Sequence, residues 1–227
     1  MAPVSAFGKG SSVRQFVIGL TALVLGLGSL PAAAQQARPV NIVALGDSLT
    51  AGYGLGPGDA FPVKLQAALR AKGHDVTIQN AGVSGDTSSG GLERLDWAVG
   101  EGVDAVILEL GANDALRGID PAVTRRNLDA IIGRLKEKRI AVLLTGMLAP
   151  PNMGSAFATA FNPIFPELAA KHGVLFDPFF LEGVAADASL NLSDGMHPNA
   201  RGVDAVVRRI LPKVEELIAE VRSRRGG

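Results

Sequence analysis

The sequence predicts an α/β fold, a three-layer α/β/α sandwich built on a five-stranded parallel sheet. Three observations lead there. From Arg38 onward, short apolar runs alternate with longer stretches whose apolar residues recur at helical spacing. Regular alternation of this kind marks a parallel sheet covered by helices on both faces. The short runs are continuously apolar, as strands buried on both sides must be. Finally, Gly, Asp, Ser and Asn gather where these runs end. Right-handed crossovers leave every carboxyl end on one rim, where open α/β sheets place their sites.

In order, Val40 to Leu45 reads as the first strand and Ala60 to Lys72 as a helix, with Phe61, Val63, Leu65, Ala68 and Leu69 on its apolar side and Gly73 closing it. Val76 to Asn80 is a short second strand. A polar turn follows from Ala81 to Gly91, then a helix through Leu92, Leu95 and Trp97. Val103 to Leu110 is a buried third strand ending in Gly111-Ala112-Asn113-Asp114. Pro121 to Lys138 is a helix with proline in its first turn. Ile140 to Met147 is the fourth strand and Val174 to Phe176 the fifth. Val203 to Val221 closes the chain as an amphipathic helix. The segment Ala149 to Ser155, with its prolines, Asn and Gly, is the least regular stretch and falls on the rim as a candidate substrate-contacting loop.

The first 34 residues differ from the rest. Lys9 and Arg14 precede an apolar segment from Phe16 to Leu30, and Pro31-Ala32-Ala33-Ala34 follows. A basic start, an apolar middle and small residues at the end spell a secretory signal. The apolar run falls short of the roughly 20 residues that span a bilayer, so cleavage after Ala34 is expected rather than a retained anchor. Residues 35–227 are then one domain, periplasmic or secreted. Losing Lys9 and Arg14 leaves 20 basic against 22 acidic residues, a net charge of −2. So even a balance gives no field that favours nucleic acid or an anionic membrane. The chain has no Cys, which excludes a disulfide framework, a thiol nucleophile and thiolate-bound metal.

Three polar turns close three successive strands: Ser48, then Ser84-Gly85-Asp86, then Asn113-Asp114. A fourth cluster, Asp194-Gly195-Met196-His197-Pro198, precedes the last helix. A serine hydroxyl is a poor nucleophile until an imidazole takes its proton, and that imidazole needs a carboxylate to fix its tautomer. His197 suits the base and Asp194 the orienting acid. Acyl transfer also needs donors aimed at the developing oxyanion, for which the Asn113 carboxamide and the N–H groups of Gly85 and Ser48 are candidates. Each element has a plainer reading. Asp194, Asn113 and Asp114 could be turn or cap residues, Asp86 and Arg94 a loop ion pair, and His74 and His172 helix-end residues. A glycine-rich turn after the first strand could also cradle a phosphate in a nucleotide- or flavin-binding module, but that leaves Asp194 and His197 idle. There is no G-x-S-x-G elbow and no H-E-x-x-H pair.

Together these residues resemble the SGNH (GDSL-type) serine hydrolases over essentially the whole mature chain. Gly46-Asp47-Ser48-Leu49 resembles the nucleophile block and Asn80 to Thr87 the second. Leu108 to Asp114 resembles the third, and Asp194 to His197 the final Asp-x-x-His block. Fuller runs, such as Asn113 to Gly118 and Pro150 to Gly154, are similar to the thioesterase/lysophospholipase (arylesterase) branch. The resemblance implies a flavodoxin-like strand order, no cofactor and no metal. It implies hydrolysis of carboxylic esters or thioesters through an acyl-enzyme on Ser48, with His197 and Asp194 completing the triad. Ser48, Gly85 and Asn113 form the oxyanion hole, Asp47 holds the nucleophile turn, and Met153 lies at the substrate. The expected partner is a small acyl ester or thioester, and the expected state a monomer. A polysaccharide O-acetyl esterase of the same family is the alternative.

Overall fold

The computed structural model describes residues 38–226, so the secretory segment expected over 1–34 lies outside the described residues. The sheet has five strands, all parallel. β1 (Val40–Gly46) lies between β2 (Val76–Gly82) and β3 (Ala105–Glu109), and β4 (Ala141–Thr145) and β5 (Leu175–Asp177) continue beyond β3. The order β2-β1-β3-β4-β5 is the flavodoxin-like one expected. Burial follows position. Every residue of β3 and β4 is buried, whereas β2, on the sheet edge, exposes Thr77, Gln79 and Asn80.

Nine helices are described: α1 (Ser48–Ala51), α2 (Phe61–Ala71), α3 (Ser88–Glu93), α4 (Leu95–Ala98), α5 (Ala112–Leu116), α6 (Pro121–Glu137), α7 (Ser155–Phe161), α8 (Ile164–His172) and α9 (Ala200–Gly226). α2 packs with α9 in one layer, and α6 packs with α3 and α8 in the other. α6 shows the logic. Asp120 caps it by accepting the Ala122 N–H at 2.9 Å, Pro121 starts it, and Leu128, Ile131, Ile132 and Leu135 form its buried stripe. α9 carries Pro212 inside a run of 27 residues. An interior proline costs about 3 kcal/mol. Val207, Ile210, Val214, Leu217 and Ile218 around it are buried, each worth roughly 1.5–3 kcal/mol, so burial keeps the helix continuous. No described helix is long and apolar enough to cross a membrane.

The structure departs from the sequence expectations in places. β2 extends to Gly82 and α3 begins at Ser88, so much of the expected polar turn is regular structure. The helix expected through Trp97 is two short helices broken at Arg94, and Trp97 is 83% exposed. Arg94 stands at the break with φ −94° and ψ 5°, and its guanidinium bonds Asp86 and the Gly46 carbonyl. Val63, expected on the apolar side of α2, is exposed. The last helix starts three residues earlier than expected, where Asn199 accepts the N–H groups of Arg201 and Gly202.

Candidate active site

The register brings three strand ends together. Gly46 of β1 pairs with Gly82 of β2 on one side and Glu109 of β3 on the other. Ser48, Gly85 and Asn113 therefore follow side by side within a few residues of one row. Gly46 has no room for a side chain: a Cβ would overlap the Thr50 hydroxyl and stand 2.5 Å from Glu109 Oε2. Asp47, fully buried, caps α1 by accepting the Leu49 N–H at 2.9 Å. Its other oxygen accepts from Asn113 Nδ2 at 3.0 Å. Burial pushes the Asp47 carboxyl up to about 6, against the bonds from Leu49 and Asn113 that favour its ionised form. With its cap pinned at both oxygens, α1 presents Ser48 as its first residue, half-buried on the rim.

The imidazole arrives from the opposite end of the chain. Asn191 and Pro198 form an antiparallel bridge, and the Leu192 N–H donates to the His197 carbonyl at 2.7 Å. Asn199 ties this loop to α9, bonding the carbonyls of Ser189 and Asn191. Within the loop Asp194 Oδ1 accepts the N–H groups of Met196 and His197 at 2.9 and 3.0 Å, and Oδ2 lies 2.7 Å from His197 Nδ1. The two backbone bonds and then the imidazole hold its carboxyl down at about 2. His197 Nε2 lies 2.9 Å from Ser48 Oγ, and the Tyr53 ring packs on the imidazole at 4.6 Å between centroids. The result is an unbroken hydroxyl–imidazole–carboxylate chain, able to move a proton off Ser48 while keeping the charge on Asp194.

Candidate donors follow the neighbouring strand ends. Gly85 sits at φ 82°, a conformation that favours glycine, and its carbonyl accepts from the Arg117 guanidinium at 2.7 Å. The N–H groups of Ser48 and Gly85 meet no acceptor among the described residues. Asn113 spends one amide hydrogen on Asp47, which aims the side chain and leaves the second free. Met153 is half-buried in a single 3₁₀ turn, Pro151–Met153, with its Cε close to Gly118 of the loop that carries Arg117.

Other candidates take structural work. Asp86 pairs with Arg94 at 2.7 Å. Asp114, fully buried, accepts from the Ser88 N–H, the Ser88 hydroxyl and the Thr124 hydroxyl, binding α3 and α6 to α5. His74 lies 2.9 Å from Glu215 and His172 2.5 Å from Asp129, both as helix-end residues. Two contributors escaped the sequence reading. Tyr53 gave no signal. Glu109 did: it is an acid placed between Leu108 and Leu110 at the end of an apolar strand.

A doubly wound parallel sheet bearing this chain of groups on its carboxyl rim has the build of a serine-type hydrolase. The chain belongs to the GDSL-like lipase/acylhydrolase family, whose model matches residues 44–205. It is an SGNH serine esterase, a hydrolase acting on ester bonds. It is 36% identical to esterase TesA of Pseudomonas aeruginosa, over 81% of this chain and 92% of that protein. It is 39% identical to an arylesterase of Vibrio mimicus over 80% and 90% of the respective chains. It is 37% identical to thioesterase 1/protease 1/lysophospholipase L1 of Escherichia coli over 70% and 75%. Among solved structures, the SGNH-family esterase AlinE4 is 44% identical with a TM-score of 0.67, covering 79% of this chain and 97% of that one.

Proposed function

We propose that the chain hydrolyses carboxylic esters and thioesters of apolar acyl groups through an acyl-enzyme on Ser48. The observation that carries this is the unbroken chain from Ser48 Oγ to His197 Nε2 at 2.9 Å and from Nδ1 to Asp194 at 2.7 Å. Ser48 Oγ attacks the acyl carbonyl as His197 takes its proton. The tetrahedral oxyanion is held by the N–H groups of Ser48 and Gly85 and by Asn113 Nδ2. Collapse passes the proton from His197 to the departing alcohol or thiol, and water repeats the sequence to free the acid.

The rim speaks for an apolar acyl chain over an acetyl group on a sugar. Seven large apolar side chains stand exposed among the described residues, and five of them, Tyr53, Val83, Leu116, Leu148 and Met196, follow strand ends or sit in the His197 loop. Apolar side chains exposed along one rim mark a binding surface. Met153 borders it as a substrate contact. The names of the relatives, arylesterase and thioesterase/lysophospholipase, agree with such substrates. A panel of acyl esters, acyl thioesters, lysophospholipids and acetylated sugars tests this. Activity should rise from acetyl to medium-length acyl groups, each buried methylene adding up to ~0.8 kcal/mol. Preference for acetylated sugars would instead support the polysaccharide O-acetyl esterase.

Asn113→Ala should lower kcat by about 10² to 10³ with little change in KM, because the lost bond strengthens only as charge develops. A raised KM with unchanged kcat would make Asn113 an ordinary substrate contact.

We also propose that residues 35–227 act as one exported hydrolase domain, monomeric, after cleavage behind Ala34, on the strength of the basic, apolar and small-residue pattern. N-terminal sequencing of protein from the source cell envelope should begin near Gln35; intact Met1 on cytoplasmic protein would contradict it.

A further inference from the structure

Glu109 is the buried acid that the acyl-transfer scheme leaves without a task. It ends β3, is fully buried, and lies against the turn that presents Ser48. Oε2 accepts the Asp47 N–H at 3.2 Å and the Thr50 hydroxyl at 2.7 Å, while Oε1 meets no donor. The charged groups around it are few. Asp47 is its neighbour on the turn, and His197 acts on Asp47 from the rim. The Arg94 guanidinium is bonded to Asp86 and the Gly46 carbonyl, and no cation pairs with Glu109 among the described residues.

Two buried carboxyls this close cannot both be ionised. Asp47 has donors at both oxygens, from Leu49 and Asn113. Glu109 has one oxygen without a donor. An ionised carboxylate spreads its charge over both oxygens, so a bare one is costly; in the acid form Oε1 carries the proton and Oε2 stays the carbonyl oxygen that accepts both bonds. The proton therefore belongs to Glu109.

We propose that Glu109 is a positioning residue acting as a neutral acid, its un-ionised carboxyl pinning the Asp47 N–H and the Thr50 hydroxyl and so fixing Ser48 and the Asn113 donor tied to Asp47. This rests on the reading of Ser48 as the nucleophile. Burial, and then the Asp47 charge, hold the Glu109 carboxyl well above its ordinary range. Once it ionises, two carboxylates face each other at the foot of the nucleophile. The enzyme should therefore lose kcat on the alkaline side.

The test is kcat and KM against pH for wild type, Glu109→Gln and Glu109→Leu, with fluorophosphonate labelling of Ser48 as control. Glu109→Gln should keep kcat within a factor of about five, since its carbonyl can accept both bonds, and should lack the alkaline decline. Glu109→Leu should lose about 10 to 100-fold in kcat at every pH with KM little changed, as expected of a nucleophile displaced by up to an ångström. If Glu109→Leu does not fold, the Glu109→Gln profile decides alone. A wild type without an alkaline decline, a decline that persists in Glu109→Gln, or a Glu109→Gln as impaired as Glu109→Leu would each overturn the proposal. An unlabelled Ser48 in wild type would overturn the nucleophile assignment beneath it; a labelled Ser48 with an unchanged alkaline limb defeats Glu109 alone.

Discussion

Ser48→Ala is expected to lower kcat for ester hydrolysis by about 10⁶-fold, the loss typical when a nucleophilic serine is removed from a triad. The fold should not notice. Ser48 is half-buried, its side chain bonds His197 alone among the described residues, and the α1 turn is held by Asp47 and Thr50 instead. A thermal transition within a few degrees of wild type, measured beside the rate, separates lost chemistry from lost structure. Residual turnover from the oxyanion donors should remain above background. Full activity in the variant would place the nucleophile elsewhere.

Asp194→Asn is expected to cost about 10⁴-fold in kcat with substrate binding largely retained, as in triads whose acid is replaced by its amide. The geometry says why. Asn can keep Oδ1 on the N–H groups of Met196 and His197, so the loop should stand. Its Nδ2 hydrogens would then face His197 Nδ1, now 2.7 Å from a carboxylate oxygen. Nδ1 must become the acceptor, the ring proton moves to Nε2, and Nε2 can no longer take a proton from Ser48. The same backbone bonds bear on pH. With its carboxyl lowered from 3.8 to about 2, Asp194 stays ionised through the mildly acid range. A depressed carboxyl contributes stability above its ordinary value that is lost as pH falls toward 2. The buried pair, Asp47 and Glu109, has the opposite sign. Raised carboxyls stabilise most below their ordinary values and lose that contribution as pH climbs through the folded ones. Thermal unfolding followed across pH should show both limbs, and Glu109→Gln should flatten the alkaline one.

The strands and the main residues of the site were legible because they rest on local signals. Continuous apolar runs such as Ala105 to Leu108 have few ways to be satisfied outside a covered sheet. Ser48, Gly85 and Asn113 stand out because each follows such a run at a turn, and Asp194 and His197 because a three-residue spacing before a helix invites a pair. What stayed hidden depends on contacts between distant segments. Arg94, at the break between α3 and α4, bonds the Gly46 carbonyl 48 residues away. Tyr53 is one aromatic in a glycine-rich turn until the fold brings His197 onto it. The helices at Ser155 and Ile164 had no expectation: Pro151 and Gly154 belong to the stretch expected as a loop and Pro163 interrupts the apolar pattern, yet Phe161, Ile164 and Phe165 are buried core. Glu109 was visible as a residue out of place, but its task needed the register that sets it beside Gly46.

The central claim is that Ser48 is the one serine activated for attack on an acyl carbonyl. A fluorophosphonate, which loses fluoride as a serine oxygen bonds to phosphorus, reports this directly when the labelled protein is digested and the modified peptide sequenced. One adduct per chain is expected, at Ser48, absent from Ser48→Ala and strongly slowed in Asp194→Asn. An adduct at another serine, such as Ser84, or no adduct on active enzyme, would contradict the assignment.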